Sequence, residues 1–154
     1  MTERYCRELI TNALERKETP KWALISKSGT LSEAFIREYA DSLRWDYIII
    51  HQNLSEDFVR EMKEYISWVH YCTYKKMSER FIEENKQYVR WDCLPKNQRM
   101  SESFMRKHDD NLHFFFLDEV PRDVSDDFFK KYFNQFSVMF KAKYKNKFKK
   151  LGLI

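Results

Sequence analysis

The chain repeats itself every 23 residues. Trp22, Trp45, Trp68 and Trp91 stand one period apart, and Phe114 takes the next place in the series. Leu31, Leu54, Met77 and Met100 keep the same step, each is followed by Ser-Glu, and Phe35, Phe58, Phe81 or Phe104 lies three residues past the Ser. Leu43, Ile66, Val89 and Leu112 close the units, two positions before the next Trp or Phe. A fixed period of this length reports architecture, because each copy is one supersecondary unit that cannot bury its apolar face alone. So short a unit cannot offset the ordering of its own backbone, and neighbours must share their faces. The hand of the resulting stack does not follow from the pattern.

Each unit reads as two helices. Ser55 is a good N-cap, Glu56 and Asp57 set negative charge on the first turn, and Leu54 before the cap can reach Val59, which is the hydrophobic staple. Leu31 with Ile36, Met77 with Ile82, and Met100 with Met105 repeat that pairing. Phe58, Val59, Met62 and Ile66 then form a stripe at helical spacing, with Arg60 and Glu64 paired on another face. The first helix is shorter. Trp45, Ile48 and Gln52 share a face, Asp46 and Asp92 are candidate caps, and Pro95 fits a first turn. A strand at 46–50 is the rival reading, in the manner of a leucine-rich repeat, but no Asn or Leu ladder accompanies it. Only two Gly and three Pro occur, which also favours helices over a turn-rich β fold.

The ends depart from the pattern as caps do. Residues 2–17 predict an opening helix with Tyr5, Leu9, Ile10 and Ala13 on one face, ended at Thr19-Pro20. In the fifth unit Val124-Ser125-Asp126-Asp127-Phe128 arrives one residue late. Beyond residue 136 a basic amphipathic helix is expected, with Phe140, Tyr144, Phe148 and Leu151 on one face. The expectation is therefore an all-α solenoid of about five two-helix, 23-residue repeats: a single domain over 1–154, with an N-terminal cap at 1–21, repeats at 22–136 and a C-terminal cap helix at 137–154.

Charge concentrates at that end. Lys141, Lys143, Lys145, Lys147, Lys149 and Lys150 exceed the whole formal net charge of +4, so the rest of the chain is net acidic. Three Cys without a CxxC spacing and a start without an apolar leader argue against a disulfide framework and for a reducing compartment. No apolar run approaches the ~20 residues of a membrane span. His51, His70, His108, His113 and the cysteines lack metal-ligand spacing, and no nucleophile elbow, phosphate loop or HExxH is present. Neither a metal, a cofactor nor enzyme activity is expected.

The segments LSEAFIREY, LSEDFVREM and MSERFIEEN, each spaced from an upstream Trp and an Ile or Tyr, resemble uncharacterised short helical-repeat proteins of large DNA viruses and bacteriophages. Those carry tandem W-x-x-I and L-S-E-x-F-I-R-E units. The match covers roughly residues 22–136, and Phe114 in place of Trp and Pro95 in the fourth unit are departures from it. The resemblance brings no catalytic or cofactor residues. It implies a viral or phage accessory protein, working in the host cytoplasm, that engages or inhibits a host protein such as a defence component.

Two positions of the first helix vary while the frame stays constant: the third (Leu24, Tyr47, His70, Cys93) and the seventh (Ser28, His51, Tyr74, Asn97). In repeat proteins such positions commonly line the binding surface, with surface drift as the bland alternative. Tyr47, His51, His70 and Tyr74, with Asn97, make the candidate partner site, since aromatic side chains are favoured at interface centres. The lysine tail has three readings: a solvated cap face first, contact with nucleic acid second, and attachment to an anionic membrane third. The competing function is therefore nucleic-acid binding through the six lysines.

Overall fold

Helix is the only regular structure the chain forms. A computed structural model describes all of residues 1–154. In order, the helices are α1 (Glu3–Glu15), α2 (Trp22–Ser26), α3 (Glu33–Glu38), α4 (Trp45–His51), α5 (Glu56–Glu61), α6 (Trp68–Tyr74), α7 (Glu79–Glu84), α8 (Leu94–Asn97), α9 (Glu102–Lys107), α10 (Asp126–Tyr132), α11 (Val138–Lys143) and α12 (Lys145–Lys150). Single 3₁₀ turns lie at Lys63–Tyr65, Phe114–Phe116 and Phe133–Gln135. None of the helices is long and apolar enough to cross a membrane. The chain divides into two compact units, Met1–Lys75 with α1 to α6 and Lys76–Ile154 with α7 to α12.

Five serines begin the five equivalent second helices. The side-chain oxygens of Ser32, Ser55, Ser78, Ser101 and Ser125 accept the backbone N–H of Phe35, Phe58, Phe81, Phe104 and Phe128 at 3.1 to 3.2 Å. Each bond satisfies one of the N–H groups that a helix start leaves without an internal partner. The one-residue slip of the fifth unit leaves the cap intact, since Ser125 and Phe128 move together. The helices are only six or seven residues long, too short to persist without packing.

The Glu after each cap does more than oppose the helix dipole. The Glu33 carboxylate accepts the N–H of Ser55, 22 residues on, at 2.6 Å, and Glu3 accepts that of Ser32 at 2.9 Å. In the second unit Glu79 accepts from Ser101, and Glu102 from Ser125 at 2.6 Å. Ser thus caps its own helix while its N–H is held by the Glu one repeat earlier.

A second ladder joins the loops. The Gln52 side chain, 2% exposed, accepts the N–H of Leu31 at 2.9 Å and donates to the Ser28 carbonyl at 2.5 Å. Lys75 stands one period later and donates to the Gln52 carbonyl at 2.6 Å. Gln98, again one period on, accepts the N–H of Met77 at 3.0 Å. Burial holds the Lys75 ammonium below its usual range.

The core of the first unit gathers Cys6, Ile10, Ile25, Phe35, Ile36, Ile48 and Phe58. That of the second is aromatic: Phe114 lies 4.3 Å from Tyr132 and Phe136 4.5 Å from Phe140, ring centre to ring centre. The tryptophans sit at the core's margin rather than in it. All four are half-buried, and the residues three and four places on (Ile25 and Ser26, Ile48 and Ile49, Tyr71 and Cys72, Leu94 and Pro95) are the enclosed ones. The indole N–H is the physical reason, since it requires a partner: Trp45 donates to the Ala40 carbonyl at 2.9 Å and stacks on Tyr65 at 5.0 Å.

Several local expectations differ. The first helix of the unit is helical, not extended, but Asp46 and Asp92 do not cap it. Their carboxylates face the neighbouring Arg44 and Arg90, and α4 starts on Arg44 without a side-chain cap. In α1 the buried residues are Cys6 and Ile10, while Leu9 and Ala13 are half-buried and Tyr5 is exposed. The basic terminal helix is broken at Tyr144 (φ −102°, ψ 21°) into α11 and α12, though Phe140 and Phe148 both stay buried.

Candidate partner-binding surfaces

The first unit packs α2 against α4 and α4 against α6. Their apolar sides face the core, which leaves the third and seventh positions outward on α4 and α6; in the α2 repeat Leu24 is exposed, but Ser28 is buried against Cys6. On α4, Tyr47 is half-buried and His51 exposed, with ring centres 6.4 Å apart. The Lys27 ammonium lies 4.2 Å and the Arg44 guanidinium 5.8 Å from the centre of the Tyr47 ring, within cation–π range. On α6, His70 and Tyr74 stack at 6.3 Å with planes 18° apart, and His70 Nδ1 is 2.9 Å from the Ser67 hydroxyl. Tyr74, Val69 and Leu24 expose about half of their surface. Four of the five predicted site residues therefore share one unit, as two pairs on adjacent helices, and no ring contact joins the pairs.

Asn97 belongs to the second unit. It ends α8 half-buried, its carbonyl taken by the Lys76 ammonium, on the wall of a cavity of about 450 Å³. That cavity also presents Lys96, Arg99, Asp118 and Glu119, with Arg99 3.7 Å from Glu119. Sequence spacing had no means of singling out this hollow, because its walls come from three separate stretches: residues 76–77, α8 with the two residues after it, and residues 118–119.

The second helices carry a different face. In the first unit Arg37 grips Glu61 through two bonds of 2.6 and 2.7 Å, and Arg7 reaches Glu38 at 2.7 Å. The Arg37 hydrogen bond holds the Glu61 carboxyl below its ordinary range, and the Arg7 bond does the same for Glu38. In the second unit Arg106 meets Asp127 at 2.9 Å, and Lys131 meets Asp109 at 3.0 Å. These charges satisfy one another from helix to helix, about one repeat apart except for the 31 residues between Arg7 and Glu38. Being exposed, each pair contributes little stability.

One member of this ladder is more enclosed. His108, 9% exposed, lies 4.8 Å from Trp91 and 4.6 Å from Phe104, and its Nε2 is 2.6 Å from the Glu83 carboxylate that Lys107 also binds. Hydrogen bonds from Lys107 and then His108 bring the Glu83 carboxyl down to about 2. A depressed carboxylate contributes stability that is full above its ordinary value of 4.5 and is lost as pH falls toward 2. Glu83→Gln is accordingly expected to melt below the unaltered protein at neutral pH, with the gap closing between pH 4.5 and 2 in circular-dichroism melts. A gap that stayed constant through that window would remove the pair's contribution.

The lysine tail divides. Lys143 binds the Glu119 carboxylate and the Asp118 carbonyl, both at 3.1 Å, Lys147 binds Asp126, and Lys141 lies 4.4 Å from the centre of the Phe133 ring. Lys145, Lys149 and Lys150 are exposed and meet no acid. Elsewhere, no three His, Cys, Asp or Glu side chains converge as a metal ion would require. Comparison of the chain with family models, with curated proteins and with solved structures finds no match.

Proposed function

We propose that this chain is a non-enzymatic α-solenoid of about five two-helix repeats between helical caps, which works by binding a protein. On the resemblance of its repeats, it is a viral or phage accessory factor that engages or inhibits a host protein in the host cytoplasm. The observation that carries the reading is the contrast between the two helix faces. The second helices present charges that already satisfy each other, whereas α2, α4 and α6 present Leu24, Tyr47, Val69 and Tyr74 partly exposed, with His51 and His70 beside them. Large amphipathic rings on a fixed helix lose little freedom on binding, which is why they anchor interfaces.

Replacing Tyr47 and Tyr74 together by alanine is expected to weaken capture of the host partner at least about thirtyfold, the loss of one strong anchor. The melting temperature should fall only slightly, because Tyr74 is 55% exposed and Tyr47 is no more than half-buried. Pull-down from host lysate with quantitative mass spectrometry, with and without nuclease, reads the result. Undiminished capture by the double variant would remove this site. Nucleic-acid binding through the tail has weaker support, because Lys143 and Lys147 are committed to acids of the same unit.

A further inference from the structure

We propose that the C-terminal segment docks the protein on an anionic lipid bilayer, with Val138 and Met139 inserted among the headgroups and Lys145, Lys149 and Lys150 set against lipid phosphates. Seven helices open on a Ser or Thr whose side chain accepts the N–H three residues on. In six of them the next residue is acidic: Glu3, Glu33, Glu56, Glu79, Glu102 and Asp126. The seventh, α11, keeps the cap, Ser137 to Phe140 at 3.1 Å, but places Val138 and Met139 where the acid belongs.

Those two side chains are 82% and 84% exposed, more than any other large apolar residue of the chain. Nothing in the fold requires them, since Phe140, Tyr144 and Phe148 already supply the contacts of α11 and α12 with Phe129 and Phe136. The side-chain charge of the segment itself has one sign. No acidic side chain occurs from Ser137 to the end of the chain; of the acids it meets in the same unit, Glu119 and Asp126 are bound by Lys143 and Lys147, and Asp118 also acts on Lys143. What remains free is a pair of protruding apolar side chains that open α11 and three lysines without an acid partner on α12, the helix that follows it.

That combination fits a surface that is anionic outside and apolar just beneath. A nucleic-acid backbone would use the lysines and leave Val138 and Met139 in water. The site shares no residue with the aromatic pairs of α4 and α6, so Tyr47→Ala with Tyr74→Ala leaves all five of its side chains in place.

The test is sedimentation of the full chain with vesicles of phosphatidylcholine alone and of phosphatidylcholine with phosphatidylserine. Binding is expected to the second only. Val138→Ser with Met139→Ser should weaken it at least about tenfold, as apolar burial is lost. Lys145→Ala, Lys149→Ala and Lys150→Ala together should weaken it roughly a hundredfold, at about fivefold per lysine. All five positions are exposed, so unchanged melting curves will show that the variants fold. Failure to sediment with either vesicle, equal sedimentation with both, or binding that Val138→Ser with Met139→Ser leaves intact would each overturn the proposal. If such undiminished binding were matched on duplex DNA and lost with the lysines, the face would be a nucleic-acid contact instead.

Discussion

Replacing Gln52 by leucine is expected to destabilise the protein by about 2 to 6 kcal/mol, although the two side chains are of similar size, because two buried backbone groups lose their partners at roughly 1 to 3 kcal/mol each. Gln52 has one oxygen on the Leu31 N–H and its nitrogen on the Ser28 carbonyl, and both bonds lie out of water. Leucine satisfies neither group, and a water has little room beside a side chain only 2% exposed. For a chain of this length the fall in melting temperature should be roughly 10 °C. Gln52→Glu separates the hydrogen bonds from the packing. Ionised, its second oxygen faces the Ser28 carbonyl and repels it; protonated, it can donate there as the amide does. Its folded pKa is therefore raised, and its stability should recover as pH falls from that raised value toward about 4, below which the carboxyl is protonated in both states. A Gln52→Leu protein that melted with the unaltered one would show that the bridge contributes nothing.

Much of this was legible in the residues, and what was not has a common cause. Cap chemistry is local: Ser55 and Phe58 are three residues apart, so the second helices and their starts follow from the sequence alone. The ring pairs are local too, since Tyr47 with His51 and His70 with Tyr74 are each one helical turn apart. The Glu33 to Ser55 and Gln52 to Leu31 bonds join residues 22 and 21 apart, and no propensity encodes such pairs. Their signal was nevertheless present, as a Glu after four of the five serine caps and a Gln or Lys at the same place in three successive units. Depth was the other hidden quantity. A period says that Trp45 and Ile48 face inward together, but not that the larger ring stays at the margin where its N–H finds Ala40. The tail shows the same limit: six lysines look alike in the sequence, and only the fold reveals that Lys143 and Lys147 are taken by Glu119 and Asp126.

The second large effect concerns the proposed stacking of repeats, each completed by its neighbour. Deleting residues 45–67, one whole period, joins Arg44 to Trp68. Every remaining residue keeps its place in the pattern, and Glu33 is offered the N–H of Ser78 in place of Ser55. Deleting residues 45–56 removes α4 and the Ser55 cap, and throws both ladders out of register. The stretch lost is about half as long, yet the damage should be far greater, since units that cannot match their neighbours' faces have no other source of stability. Helical circular dichroism per residue, followed through urea unfolding of both proteins, measures the difference directly. The proposed stacking predicts that the 45–67 deletion keeps its helix content and unfolds cooperatively, while the 45–56 deletion is largely unfolded before denaturant is added; equal loss of structure in the two would contradict it.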